Sequence, residues 1–251
     1  MDYAYESLEL FIVPLRSDNY SYVIHDHAKG KTLVIDPSET APLVTFLQKH
    51  KFGLDFIIDT HHHDDHTQGN IELQKQFGST IFASAYDHDK NRIPGVVGKT
   101  LEDGDALAFS SYTFRVLSTP GHTLGHVCLL LNGADWLFCG DTLFGLGCGR
   151  LFEGTPAIMW NSFLKLRRLP DAALVFCGHE YTLSNARFAS SVAPDLPGLK
   201  SYIQDLEQRY QADGRTVPSR LRDEKTYNPF FLADHPYFAS LGGTPTEVFG
   251  E

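Results

Sequence analysis

One heptapeptide constrains this chain more than any other stretch of its 251 residues: Thr60-His61-His62-His63-Asp64-Asp65-His66. It follows Phe56-Ile57-Ile58, a short apolar run that reads as a buried strand. In an extended segment residues two apart share a face, so His61, His63 and Asp65 are expected to point the same way. His66 is expected to follow as the chain turns into the next helix. Core packing gives no reason for four ligand-type side chains at this spacing. Imidazole and carboxylate without thiolate are the donor set of zinc, iron or manganese, so the segment reads as a metal site.

The same arrangement, an apolar strand ending in His or Asp, recurs three times. Val116-Leu117 leads to His122, Leu137-Phe138-Cys139-Gly140 to Asp141, and Val175-Phe176-Cys177-Gly178 to His179. Sites in α/β proteins form beyond the carboxyl ends of strands, where loops converge. Gly121, Gly140 and Gly178 each precede the polar residue and suit a sharp turn there. Seven donors are more than one four-coordinate ion uses. His61, His63 and His122 can hold one ion and Asp65, His66 and His179 a second, with Asp141 bridging the two. His62, Asp64, His88 and His126 read as structural, with His126 a buried partner of a metal-bound imidazole.

The rest of the chain alternates. Strands are expected at Leu8–Val13, Tyr20–His25, Thr32–Ile35, Thr80–Ala83, Tyr112–Leu117, Val127–Leu131, Trp136–Phe138 and Leu174–Phe176. Helices are expected at about Ala41–His50, Gly69–Phe77 and Ile158–Leu169. That mixture argues for α/β layers. After His179 the pattern turns helical to about Ala212, interrupted near Pro194–Gly198, and ends in an irregular tail with Tyr227-Asn228-Pro229-Phe230. A boundary is therefore expected at 179/180, dividing a domain over 1–179 from a smaller helical one over 180–251.

Composition excludes several roles. With 21 Lys plus Arg against 31 Asp plus Glu the formal charge is −10, which disfavours nucleic acid as a partner. No apolar run approaches the ~18 residues of a membrane span. The first residues resemble neither a signal nor a transit peptide, so the expected address is the cytoplasm. Cys128, Cys139, Cys148 and Cys177 show no CxxC spacing and are expected as reduced, mostly buried residues.

The heptapeptide with His122, Asp141 and His179 resembles the metallo-β-lactamase superfamily. That resemblance implies an αββα sandwich with its metals at one edge. Gly140-Asp141-Thr142-Leu143-Phe144, Gly147-Cys148-Gly149-Arg150-Leu151-Phe152-Glu153-Gly154, Cys177-Gly178-His179-Glu180-Tyr181-Thr182 and Thr226-Tyr227-Asn228-Pro229-Phe230 narrow it to similarity with glyoxalase II, the hydroxyacylglutathione hydrolases. The similarity runs from about Leu10 to Phe230. It implies two divalent ions, zinc before iron or manganese, on all seven positions named above, with Asp65 and Asp141 in the catalytic roles. It implies hydrolysis of S-D-lactoylglutathione to D-lactate and glutathione, by a monomer whose helical C-terminal domain holds glutathione.

By the same resemblance Arg150, Phe152 and Tyr181 contact the substrate. Phe152 stands where the family often has Tyr. The chain departs from the family after Asn-Pro-Phe: Leu232 stands where an Arg usually clamps a carboxylate of glutathione, and leucine offers no donor. Lys225, Arg220 and Arg222 are the nearby cations. Within the superfamily the competing reactions are a persulfide dioxygenase and a thioesterase for another thiol carrier. Outside enzymes, the competing reading is a non-catalytic metal-binding protein, which has little use for seven ligands.

Overall fold

The computed structural model describes residues 1–239. The chain divides into two compact units, one formed by residues 1–118 and 125–134, the other by residues 119–124 and 135 onward.

The first unit holds a seven-stranded sheet whose spatial order is the chain order: β1 (Tyr3–Tyr5), β2 (Leu8–Leu15), β3 (Asn19–Asp26), β4 (Lys31–Ile35), β5 (Phe56–Ile58), β6 (Thr80–Ser84) and β7 (Val97–Leu101). From β1 to β4 the pairing is antiparallel through short turns. From β4 to β7 it is parallel. Parallel neighbours need a crossover, and α1 (Thr40–His50), then α2 (Asp64–Thr67) with α3 (Asn70–Phe77), then α4 (Ala85–Asp89) supply them. Leu43 and Leu47 of α1 and Leu73 of α3 pack on Val34, Ile57 and Ile81. Every residue of β3 is buried, as expected of a strand covered on both faces. Three further strands, β8 (Ala106–Phe109), β9 (Tyr112–Ser118) and β10 (Val127–Leu131), form an antiparallel ladder.

In the second unit two of the three expected donors, Asp141 and His179, lie just past strands of the unit itself. β11 (Trp136–Gly140) runs parallel to β14 (Leu174–Cys177), which pairs antiparallel with β15 (Ser219–Arg220). Between β11 and β14 lie a small hairpin, β12 (Leu143–Phe144) with β13 (Gly147–Cys148), and α5 (Pro156–Leu166). Then come α6 (Thr182–Val192), α7 (Leu199–Asp213), α8 (Leu221–Tyr227) and α9 (Pro236–Ala239). Ala186, Ala189, Leu199, Leu206 and Phe238 belong to the helical core of this unit.

Phe56–Ile58 and Val127–Leu131 match the sequence expectation residue for residue, and the other expected strands extend by one or two residues. Three details differ. Helix α5 opens at Pro156 rather than Ile158, because Thr155 caps it, its Oγ1 accepting from Ile158 N at 3.4 Å, and proline is favoured at the first helical position. Asp65 lies on a helix and not on an extended strand, since α2 opens at Asp64 and carries both carboxylates in its first turn, where they meet the positive end of the helix dipole. The tail expected to be irregular contains α8, with Tyr227 as its last residue.

Candidate metal centre

Four of the seven expected donors sit just past a strand end, and His63, Asp65 and His66 follow His61 into α2. His61 follows β5 by three residues, His122 follows β9 by four, Asp141 directly follows β11, and His179 follows β14 by two. Gly140 at the end of β11 has φ 43, a left-handed conformation that glycine adopts freely, and the β11–β14 register shifts there.

In the first unit the donors are ordered by a residue the sequence reading did not single out. Asp36 is buried, at the end of β4. Its Oδ1 accepts from Thr60 N at 2.7 Å and its Oδ2 from Thr60 Oγ1 at 2.8 Å. The same Oδ2 lies 3.0 Å from His66 Nδ1, so Nδ1 carries the proton and Nε2 presents its lone pair. Thr60 Oγ1, its own hydrogen given to Asp36, accepts from His61 Nδ1 at 3.1 Å, which leaves His61 Nε2 as the ligating atom. His61 Nε2 and His63 Nδ1 are 3.1 Å apart, and Asp65 Oδ2 lies 3.7 Å from His66 Nε2. Asn19 Nδ2 donates to Asp65 O at 3.0 Å and to Asp65 Oδ2 at 3.2 Å, fixing that carboxylate. His126 is fully buried and stacks on His61 with ring centroids 4.9 Å apart. Beneath the site Asp59 is fully buried with Asn70 Nδ2 at 2.7 Å, and burial pushes its carboxyl well above the usual range.

The second unit carries His122, Asp141 and His179, all buried. One oxygen, Asp141 Oδ2, lies 3.4 Å from His122 Nε2 and 3.4 Å from His179 Nε2. His122 Nδ1 donates to Arg150 O at 2.8 Å, so its Nε2 is again the ligating atom. Gly149 is required where the loop returns, because a Cβ there would stand 1.8 Å from Asp141 O.

These sets fit divalent metal. With bonds of 2.0–2.1 Å in a tetrahedron, neighbouring ligand atoms stand about 3.3 Å apart, close to the 3.1 Å of the His61–His63 pair and the 3.4 Å of both Asp141 pairs. Of the other residues read as structural, His62 Nδ1 faces Asp87 Oδ1 at 3.2 Å while its ring lies edge-on to His63 at 5.0 Å, exposed Asp64 pairs with Arg16 at 3.5 Å, and His88 lies on α4.

All three expected substrate residues are exposed in the second unit. Phe152 is 64% exposed with its ring edge-on to His122 at 5.3 Å. Tyr181 stacks on His179 at 4.7 Å, nearly coplanar at 4°. Arg150 reaches solvent while its carbonyl holds His122. Leu232 is buried in the helical core and supplies no donor. Of the neighbouring cations, Lys225 is tied to Asp171 and Leu169 O, and Arg222 to Asp223. Among the cysteines Cys128, Cys139 and Cys177 are buried, none is in a disulfide, and burial pushes the Cys148 thiol up to about 12. Among the described residues no helix is long and apolar enough to cross a membrane.

Comparison with known proteins bears on these features together. The family model described as the metallo-β-lactamase superfamily matches residues 16–179, and that of the hydroxyacylglutathione hydrolase C-terminus matches 180–251. A hydroxyacylglutathione hydrolase of Rhodopseudomonas palustris is 43% identical over 97% of this chain and 96% of its own length. One from Methylococcus capsulatus is 41% identical with the same coverage. Among solved structures the B3 metallo-β-lactamase BLEG-1 superposes with a TM-score of 0.69 at 20% identity, covering 89% of this chain and 99% of the other. The fold is that of the metallo-β-lactamases, of the α/β class.

Proposed function

The chain belongs to the hydroxyacylglutathione hydrolase family of the metallo-β-lactamase superfamily, and from that premise we propose that it hydrolyses S-D-lactoylglutathione to D-lactate and glutathione at a centre of two divalent ions. His61, His63 and His122 would hold one ion and Asp65, His66 and His179 the other, and Asp141 would be the carboxylate available to both. The observation that carries this reading is Asp141 Oδ2, equidistant at 3.4 Å from the Nε2 atoms of His122 and His179. A carboxylate flanked by two imidazole nitrogens at ligand–ligand distances is in position to be shared.

Bound there, two ions supply Lewis acidity that brings the pKa of a water towards neutrality and polarises a carbonyl oxygen, zinc being the ion proposed and iron or manganese admitted by the same donors. The protein's own contribution is orientation. Asp65, steadied by Asn19, directs the attacking water at the thioester carbonyl. Asp36 and the Arg150 carbonyl hold three imidazoles, directly or through Thr60, in the tautomer that ligates through Nε2. The leaving thiolate has a conjugate pKa of about 8.5 and departs without a general acid. Arg150 offers a cation to a carboxylate of glutathione, and Phe152 and Tyr181 offer exposed rings to the rest of the substrate. The catalytic part is residues 1–179, and residues 180–251 form the glutathione-binding part. The enzyme acts as a monomer in the cytoplasm, where its cysteines stay reduced.

Replacing Asp141 with Ala tests the reading. The variant is expected to keep the far-UV circular dichroism of the parent, to bind fewer than two ions per chain and to lose nearly all activity. A variant with two ions and the parent's rate would remove Asp141 from the bridge.

A further inference from the structure

Helix α8 lies outside every element named above as carrying a ligand, yet it buries two polar side chains completely: Glu224, and Asn228 one residue past its end. Both reach the turn of the β12–β13 hairpin. Glu224 Oε2 accepts from Leu146 N at 2.9 Å and from Asn228 Nδ2 at 2.9 Å. Asn228 Nδ2 also donates to Phe144 O at 3.2 Å and Gly147 O at 3.0 Å, and its Oδ1 accepts from Phe230 N at 3.0 Å. A further turn carbonyl, Gly145 O, accepts from Asn185 Nδ2 of α6 at 3.0 Å. Leu146 sits at φ 56, a conformation that a branched residue keeps only where its surroundings over-determine it.

The hairpin so held is the short path between two parts of the metal centre. β12 begins two residues after Asp141, and β13 ends two residues before Arg150, whose carbonyl orients His122. Gly149, between them, packs its backbone on Asp141 O. A shift of the turn therefore moves the bridging carboxylate and the partner of His122 together. A buried carboxylate with a buried amide is a costly means of filling space, where apolar residues would serve. Its use here is directional.

We infer that Glu224 and Asn228 are positioning residues of the metal centre, acting through the Phe144–Gly147 turn to set Asp141 and the His122–Arg150 hydrogen bond. This rests on the two-ion reading of the site. Misplacing such supporting groups typically lowers metal affinity or activity by about 10- to 100-fold.

The test compares the parent with Asn228→Asp, Glu224→Ala, Glu224→Gln and Lys225→Ala. Zinc affinity is measured by competition with a chromogenic chelator, and kcat and KM with S-D-lactoylglutathione. Asn228→Asp keeps the shape but turns the donor that faces two carbonyls into an acceptor. It is expected to lower kcat and weaken zinc binding at least tenfold while KM changes less than threefold. Glu224→Ala is expected to behave alike, and Glu224→Gln, which keeps one accepting oxygen, to recover most of the loss. Lys225→Ala cuts a surface tie of the same helix and is expected to leave kcat and zinc affinity at the parent's values. Should Asn228→Asp or Glu224→Ala fail to fold, Asn185→Ala removes one turn contact from the other side and must show the same selective fall. Parental kcat and zinc affinity in folded variants would overturn the inference. A parent that binds no second ion or does not turn over the thioester would instead overturn the site reading itself.

Discussion

Asp36 holds the first half of the site with one buried carboxylate: it accepts from the Thr60 amide, the Thr60 hydroxyl and His66 Nδ1, and through Thr60 it fixes His61. Asp36→Asn keeps the volume but removes the charge and replaces one acceptor with a donor. Zinc affinity in a chelator competition is expected to fall about 10- to 100-fold; unchanged affinity would mean that the imidazoles are oriented by something else. The seven expected donors stand out in the sequence because His and Asp past strand ends have so few structural uses at that density. Asp36 carried the same signal, since Val34-Ile35-Asp36 is another apolar strand ending in a carboxylate. It stood without a neighbouring histidine, and its partnership with His66 joins positions 30 residues apart, which no local pattern reveals. Leu232 shows the reverse. Its difference from the family is plain in the sequence, but that it turns inward to the helical core is a tertiary fact.

Apolar content decided part of which elements were legible, though β8 and β12 are apolar throughout and were not expected. β5 and β10 are continuous apolar runs and matched exactly. β7 has mostly exposed or half-buried positions and lacks the run or alternation that marks a strand, so it was missed. In α8 five of the seven residues of Leu221-Arg222-Asp223-Glu224-Lys225-Thr226-Tyr227 are polar or charged, and only burial of Glu224 in the fold gives the helix its meaning. That burial has a consequence for stability. It pushes the Glu224 carboxyl from 4.5 up to about 7. With the folded pKa above the unfolded one, the folded chain binds the proton more tightly. The stability from this group is therefore complete below pH 4.5 and is lost as the pH rises through about 7. The loss is on the order of 3 kcal/mol. Urea unfolding of the parent against Glu224→Gln is expected to show their stability difference shifting in favour of the Gln variant between pH 5 and 8. A difference independent of pH would mean that the carboxyl titrates normally.

At the scale of the whole molecule, relatives more than 40% identical match 97% of the chain, and two family models together span residues 16–251. The class of fold followed from strands and helices alternating along the chain, and the expected boundary at 179/180 from the change of texture after His179. Compactness divides the chain differently: residues 119–124 group with the C-terminal unit and 125–134 with the N-terminal one. Sequence texture follows order along the chain and cannot register such an exchange. The net charge of −10 gives an anionic thioester no long-range attraction, so the proposed function leaves recognition to local groups, for which Arg150 is the proposed one. The proposed function needs His61, His63, Asp65, His66, His122, Asp141 and His179 to serve one hydrolytic centre for two ions. Titrating zinc into metal-free protein while following S-D-lactoylglutathione hydrolysis tests it most directly. The account predicts negligible turnover without metal and a rate that rises to a plateau at two ions per chain. A plateau at one ion, or no hydrolysis with two ions bound, would contradict it.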